Sequence, residues 1–257
     1  MIATTPGDIA TIRESGRRLG AHLARLSKLI VVGATPKEID AAAAQMIADD
    51  GDEAPFKGYP SGRKGEKFPG VICVSVNDTI VHSPGAWNDV PFQDGDIVTI
   101  DFGVAHKGLI TDSARTVIAG KPRSPEEARL VSATYEALQL GIDQARVGNH
   151  TGDIGYAVQQ IAEREGYGYP RQLSGHGVGL AIHEEPHVPN YGEPGKGEKL
   201  VEGMVIAIEP MFTLGTSDLY IAGDNFTYRT KDGSRTAHCE HTVLITKDGP
   251  EILTRDN

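Results

Sequence analysis

Asp94-Gly95-Asp96-Ile97-Val98-Thr99-Ile100-Asp101 and Glu202-Gly203-Met204-Val205-Ile206-Ala207-Ile208-Glu209 follow one pattern. Each reads acid, glycine, any residue, two aliphatics, any residue, isoleucine, acid. A second pair lies downstream, Asp112-Ser-Ala-Arg-Thr-Val-Ile118 beside Glu240-His-Thr-Val-Leu-Ile245, with one residue of slack. Short runs rich in Ile and Val read as strands. Their recurrence at matched places reads as an internal repeat, and a repeat has to be settled before a fold is named.

Working outward, each pair of strands is preceded by a pair of helices. Ile12, Leu19, Leu23, Leu26 and Ile30 fall on one helical face. A second helix starts with Thr35 as cap, Pro36 in the first turn and Glu38 closing a capping box, and it stops at Gly51. The second half repeats this, with Ser124, Pro125 and Glu127 opening a helix whose apolar side is Leu130, Tyr135, Leu138 and Ile142. Another helix is predicted over 152–165, capped by Thr151 and stopped by Gly166. Strands are predicted over 71–76, 97–104 and 109–118. Residues 52–70 are rich in Gly and Pro with lysines between, and a loop of that length is a functional candidate. The order predicts an α+β fold: two similar halves, roughly 8–120 and 121–250, fused into one domain over 1–257, with helices on one side of antiparallel sheet.

Composition narrows the function. The chain has 257 residues, 39% hydrophobic, which supports a large core, and a formal charge of -10, which argues against a general nucleic-acid binder. Its two cysteines, Cys73 and Cys239, are far apart, so no disulfide framework is indicated and a reducing compartment is expected. The N-terminal stretch has no apolar run after a basic start, and no segment reaches the roughly 18 to 20 apolar residues that span a bilayer. A soluble cytoplasmic protein is expected.

The repeat singles out Asp101, Asp112, Glu209 and Glu240. Three of these four acids flank aliphatic strand runs, where ionised carboxylates are costly unless paired or bound to metal. A hairpin centred on His106-Lys107 would set Asp101 directly opposite Asp112, with Cβ atoms about 4.5 to 5.5 Å apart. Two bare carboxylates that close repel, so a cation between them is the natural remedy. The equivalent hairpin is less regular in the second half, where 30 residues separate Glu209 from Glu240. Among histidines, His176 sits in Gly175-His-Gly-Val-Gly179, His183 in His183-Glu-Glu-Pro186 and His82 in Val81-His-Ser-Pro84. His22, His106, His150 and His187 read as ordinary surface or core residues, and His241 should point to the strand face opposite its neighbour Glu240. Oxygen ligands with one imidazole suit Mn, Fe(II), Co or Zn. Four carboxylates and a histidine exceed what one catalytic ion with an open position takes. They fit two ions that share bridging carboxylates, roughly 3.5 to 4 Å apart.

These motifs carry a family resemblance. Asn77-Asp78, Val81-His82, Asp101-Phe-Gly103, Asp112-Ser-Ala-Arg-Thr116, Gly175-His-Gly-Val-Gly179, His183-Glu-Glu-Pro186, Ile208-Glu-Pro-Met211 and Glu240-His-Thr242 occur in order over residues 8–250. In them the chain resembles the type I methionine aminopeptidases, which have the two-fold pita-bread fold, a curved antiparallel sheet with helices outside. The resemblance implies two divalent ions held by Asp101, Asp112, His176, Glu209 and Glu240, with Asp112 and Glu240 bridging. It implies His82 and His183 at the scissile amide, Glu209 in proton transfer, and Cys73 and Phe226 in the methionine pocket. The implied reaction is hydrolysis of the first peptide bond of nascent chains beginning with Met, with a small second residue preferred. A monomer is implied, and any ribosome contact is made by the core domain.

The chain departs from the family pattern at Ile182, where Phe is usual, at Phe226, where Trp is common, and at His238-Cys239; the 57–70 loop is longer. None of these departures is expected to touch a ligand. Xaa-Pro aminopeptidases and prolidases share the fold and the five ligands. They usually carry a further N-terminal domain, and here about 100 residues precede the first ligand. A pita-bread binding module that has lost its metals is the remaining alternative, and ligand chemistry at all five positions argues against it.

Overall fold

In a computed structural model of the protein, which describes residues 1–60 and 65–255, the element order follows the repeat. The first half runs α1 (Pro6–Ser27), α2 (Pro36–Asp50), β1 (Ile72–Val76), β2 (Thr79–Val81), β3 (Asp96–His106) and β4 (Leu109–Ala119). The second runs α3 (Pro125–Asp143), α4 (Thr151–Glu165), β5 (Ser174–Gly177), β6 (Glu184–Pro189) and β7 (Val205–Ile208), then β8 (Met211–Thr213), β9 (Leu219–Ile221), β10 (Tyr228–Thr230), β11 (Thr236–His238), β12 (His241–Thr246) and β13 (Gly249–Ile252).

Local chemistry sets the helix ends. At α2 the Thr35 side chain accepts from the Glu38 N–H, and the Glu38 carboxylate accepts from the Thr35 N–H. Gly51 ends the helix in the left-handed region at φ 68°. The expected box at α3 forms in one direction only. Ser124 accepts from the Glu127 N–H, but the Glu127 carboxylate accepts from the Arg123 N–H and pairs with Arg235. At α4 the cap is His150, not Thr151: Asp153 accepts from the His150 N–H at 2.7 Å, while the Thr151 hydroxyl accepts from the Glu198 N–H.

Two sheets carry the repeat, in the orders β1-β3-β4 and β13-β12-β7-β5-β6. In each, the strand holding the first member of the repeat pairs antiparallel with the strand holding the second, β3 with β4 and β7 with β12. An earlier strand, β1 or β5, flanks the other side. Period-two alternation sorts β3. Val98, Ile100, Phe102 and Val104 pack with Leu19, Leu23 and Leu26 of α1 and Ile39 and Ala43 of α2. Each such side chain, fully buried, contributes about 1.5 to 3 kcal/mol. The odd residues, Thr99 and Asp101, face the other way. A third small sheet, β2-β10-β9, joins the halves.

The register corrects one expectation. The hairpin turns at Lys107-Gly108, with φ of 50° and 79°, and His106 pairs with Leu109. Two central residues with positive φ make the two-residue turn that matches strand twist. The turn is therefore centred one residue later than expected. Asp101 pairs with Ala114 and Asp112 with Gly103, so the two acids are diagonal rather than directly opposite. A one-residue shift of the turn moves the register by two, which keeps both on one face. Asp101 and Asp112 also lie inside their strands rather than at the ends. Gly103, opposite Asp112, is required by packing: a Cβ there would lie 2.7 Å from Pro55, on the loop that crosses β3. Among the described residues no helix is long and apolar enough to cross a membrane.

Candidate active site

The faces of the two sheets that turn away from the helices enclose a cavity of about 670 Å³. Its wall includes all nine residues singled out in the sequence: Asp101, Asp112, His176, Glu209, Glu240, His82, His183, Cys73 and Phe226.

Hydrogen bonds between the halves place the carboxylates. Thr242 donates its hydroxyl to the Asp112 carbonyl at 2.7 Å and accepts from the Asp112 N–H at 2.9 Å. Ser113 donates to the Glu240 carbonyl at 2.6 Å, and the Glu240 N–H donates to the Ala114 carbonyl. β4 is thus stitched to the segment carrying Glu240. His176 is brought in by β5, where a Cβ on Gly175 would lie 2.3 Å from the Ala207 carbonyl oxygen. Glycine there permits the close approach of β5 to β7.

One ligand-type atom each from Asp112, His176 and Glu240 lie within 4.8 Å of one another. His176 Nε2 is 3.4 Å from Glu209 Oε1. Asp101 Oδ1 and Glu240 Oε1 are buried and accept no hydrogen bond. All five residues are buried, at 2 to 8% exposure. Burial and then mutual repulsion hold Asp101 and Glu240 well above the usual carboxylate range. Asp112 is pushed up to about 8 by burial and then by Glu209, and Glu209 to about 8 by burial. Burial lowers the His176 pKa to about 3, and its Nδ1 lies 3.0 Å from the Gly177 carbonyl. A neutral ring donating there leaves the Nε2 lone pair facing the carboxylates, the arrangement common in metal-ligating histidines. Orphaned carboxylate oxygens, mutual repulsion and an oriented imidazole all fit divalent cations.

Beside this cluster stand two further histidines. His82 follows β2 with φ 60°, and its ring meets Tyr228 edge-on. Such backbone strain in a non-glycine residue gathers at functional sites. His183 packs its ring 4.5 Å from that of His176, centroid to centroid. An apolar recess adjoins them, formed by Cys73, Phe68 and Phe226 with Phe56 against it. Phe68 and Phe226 meet edge to face at 5.6 Å, and Cys73 pairs with Asp101 in the β1–β3 ladder, on the same face. Ile182 is buried on the cavity wall and Cys239 in the core outside it.

In the cavity wall and behind it stand residues whose place the sequence did not signal. His238, expected to be clear of the ligands, has Nε2 3.3 Å from Glu209 Oε2 and is 1% exposed. The cause is the pairing of β11 with β8, which sets His238 opposite Met211, two residues past Glu209. His187, expected to be an ordinary residue, pairs with His176 across β5 and β6 and lines the cavity. Tyr59 of the long loop lies 2.8 Å from His183 Nδ1 through its hydroxyl. His241 turns away as expected, to the Thr254 hydroxyl at 2.8 Å.

This arrangement has known counterparts. Residues 10–247 match metallopeptidase family M24. Methionine aminopeptidase 1 of Bacillus subtilis is 40% identical over 256 residues, 99% of each chain. The crystal structure of the methionine aminopeptidase of Thermotoga maritima superposes with a TM-score of 0.93 at 36% identity, covering 100% of both chains. The prolidase of Pyrococcus horikoshii shares the fold, with a TM-score of 0.74 at 23% identity, and this chain covers 64% of it. The chain belongs to metallopeptidase family M24.

Proposed function

We propose that this protein removes the N-terminal methionine from peptides and nascent proteins, with a small second residue preferred. The observation that carries this is the apolar recess of Cys73, Phe68 and Phe226, which opens beside five buried ligand-type side chains. An unbranched thioether suits such a recess, and aromatic edges make favourable contacts with sulfur.

Asp101, Asp112, His176, Glu209 and Glu240 would hold two divalent ions, drawn from cobalt, manganese, iron(II) or zinc. Bound there, the ions supply Lewis acidity and a water of lowered pKa. The protein's own groups do the rest. His82 and His183 flank the scissile amide, and an Nε2–H of His183 stabilises the charge that develops on the carbonyl oxygen. Glu209 accepts the proton of the attacking water and passes it to the leaving amine. Cys73 and Phe226 wall the methionine side chain and exclude water. The whole chain works as one catalytic domain of two halves, roughly 8–120 and 121–250, as a cytoplasmic monomer whose core makes any ribosome contact.

The test is peptide specificity of the metal-reconstituted protein. Met-Ala-Ser is expected to be hydrolysed, and Xaa-Pro peptides to react at about a hundredth of that rate or less. Cleavage confined to Xaa-Pro peptides overturns the reading in favour of a prolidase-like enzyme.

A further inference from the structure

The long loop reaches the cavity through Tyr59. Its backbone is fixed from both sides: the Tyr59 N–H donates to the Phe56 carbonyl at 3.0 Å, and its carbonyl accepts from the Phe68 N–H at 2.8 Å. The Gly58 N–H donates to the Phe68 carbonyl at 2.9 Å, and Asn225 on the far wall donates to Glu66 at 2.9 and 3.0 Å. Held this way, the Tyr59 ring meets His183 edge-on at 5.2 Å between centroids, with its hydroxyl 2.8 Å from Nδ1. Among the described residues this is the one hydrogen bond that the His183 ring makes.

A neutral imidazole has a single N–H, and the partner of one nitrogen decides the role of the other. If Nδ1 carried the proton, Nε2 would present a lone pair to the cavity and repel a carbonyl oxygen gaining negative charge. A phenol is a strong donor and a poor acceptor, because its oxygen lone pair is delocalised into the ring. We propose that Tyr59 is a positioning residue: its hydroxyl donates to His183 Nδ1 and so keeps the ring proton on Nε2, aimed into the cavity. This rests on the reading of His183 as the group that meets the substrate carbonyl. It gives residues 56–59 of the long loop a role in the reaction, since their backbone bonds among themselves and to Phe68 hold the hydroxyl in place.

Tyr59→Phe keeps the ring and removes the donor. On the metal-loaded full chain with Met-Ala-Ser, kcat is expected to fall about tenfold with KM within about twofold, less than the effect of deleting an oxyanion donor outright. Bound metal per chain should not change. Ring nitrogen-15 shifts of the zinc-loaded protein, with His183 assigned through His183→Ala, should show the Nε2–H form in the wild type and a mixture in Tyr59→Phe. An unchanged kcat in the variant, or an Nδ1–H form in the wild type, overturns the proposal. Absence of methionine release from the wild type would refute the proposed reaction instead, and the nitrogen-15 comparison would still decide what Tyr59 does.

Discussion

The two halves share a topology but aim their carboxylates differently. In the first, Asp101 sits inside β3 with ladders to β1 and β4 on either side, and Asp112 sits inside β4, laddered to β3 and held on its other side by the Thr242 hydroxyl. In the second, Glu209 follows β7 just before Pro210, which has no N–H to continue a ladder. Glu240 lies between β11 and β12. Short aspartates on rigid strands face longer glutamates on strand ends. A repeat thus preserves where a strand runs, while side-chain length compensates for where it stops. The second half also adds His176, and His238 beside Glu209, which have no counterpart among the first-half residues of the cluster.

The largest test of this difference is removal of one acid from each half. Asp112→Ala and Glu240→Ala should each lower turnover by about a thousandfold or more, because each takes a carboxylate out of the cluster proposed to hold the metal. Because Asp112 lies inside a strand, Asp112→Ala should keep its fold with little change in far-ultraviolet dichroism. Retained turnover in Asp112→Ala would sink the assignment of the cluster as the metal site.

The next test is pH. With no metal bound, Asp112 and Glu209 hold folded-state pKa values of about 8, far above the usual carboxylate range. From neutral pH up to about 8 the folded state then keeps protons that the unfolded state has lost, so stability must fall as pH rises. Below about 6.5 the buried His82, His176, His238 and His241 act in the opposite sense, since burial lowers their pKa values to about 4, 3, 3 and 4. The informative window is therefore pH 7 to 9. Chelator-treated protein should lose melting temperature across it, and metal-loaded protein should lose much less, because ion binding requires ionised carboxylates. A melting temperature of the chelated protein that rises across this window would contradict the burial of the unpaired acids.

How far the sequence shows all this depends on how local the cause is. The Thr35–Glu38 box, the Gly51 stop and the apolar face of β3 were legible because each is decided within a few residues. The four acids were legible because they break an aliphatic pattern twice in the same place. The diagonal offset of Asp101 and Asp112 was not, since it turns on which two residues of His106-Lys107-Gly108 take positive φ. The contacts of His238 and Tyr59 were not, because each needs a chain segment distant in sequence to fold back on the cavity. His238 tests this point directly. If the 3.3 Å approach of its Nε2 to Glu209, made without a hydrogen bond, orients that carboxylate, His238→Ala should reduce kcat or metal affinity by about 10- to 100-fold. Activity within twofold of wild type would show that His238 does not position Glu209.

The smallest effect separates the halves at their helix starts. α2 opens with a reciprocal box, in which Thr35 and Glu38 satisfy each other's N–H groups. α3 opens with half of one, because Arg123 and Arg235 draw the Glu127 carboxylate elsewhere. Thr35→Ala removes the acceptor for the Glu38 N–H and also the hydroxyl that donates to the Glu38 carboxylate at 3.1 Å, while the Thr35 N–H keeps its own bond to that carboxylate. It should destabilise by about 1 kcal/mol, or roughly 2 to 4 °C in melting temperature for a chain of this size. Ser124→Ala loses the 3.3 Å bond from the Glu127 N–H and leaves the contacts of the Glu127 carboxylate in place, so its effect should be about half as large. Equal shifts in the two variants, measured on metal-loaded protein, would mean that the second bond of the Thr35 hydroxyl, to the Glu38 carboxylate, adds nothing and that the two side-chain caps are equivalent despite their different wiring.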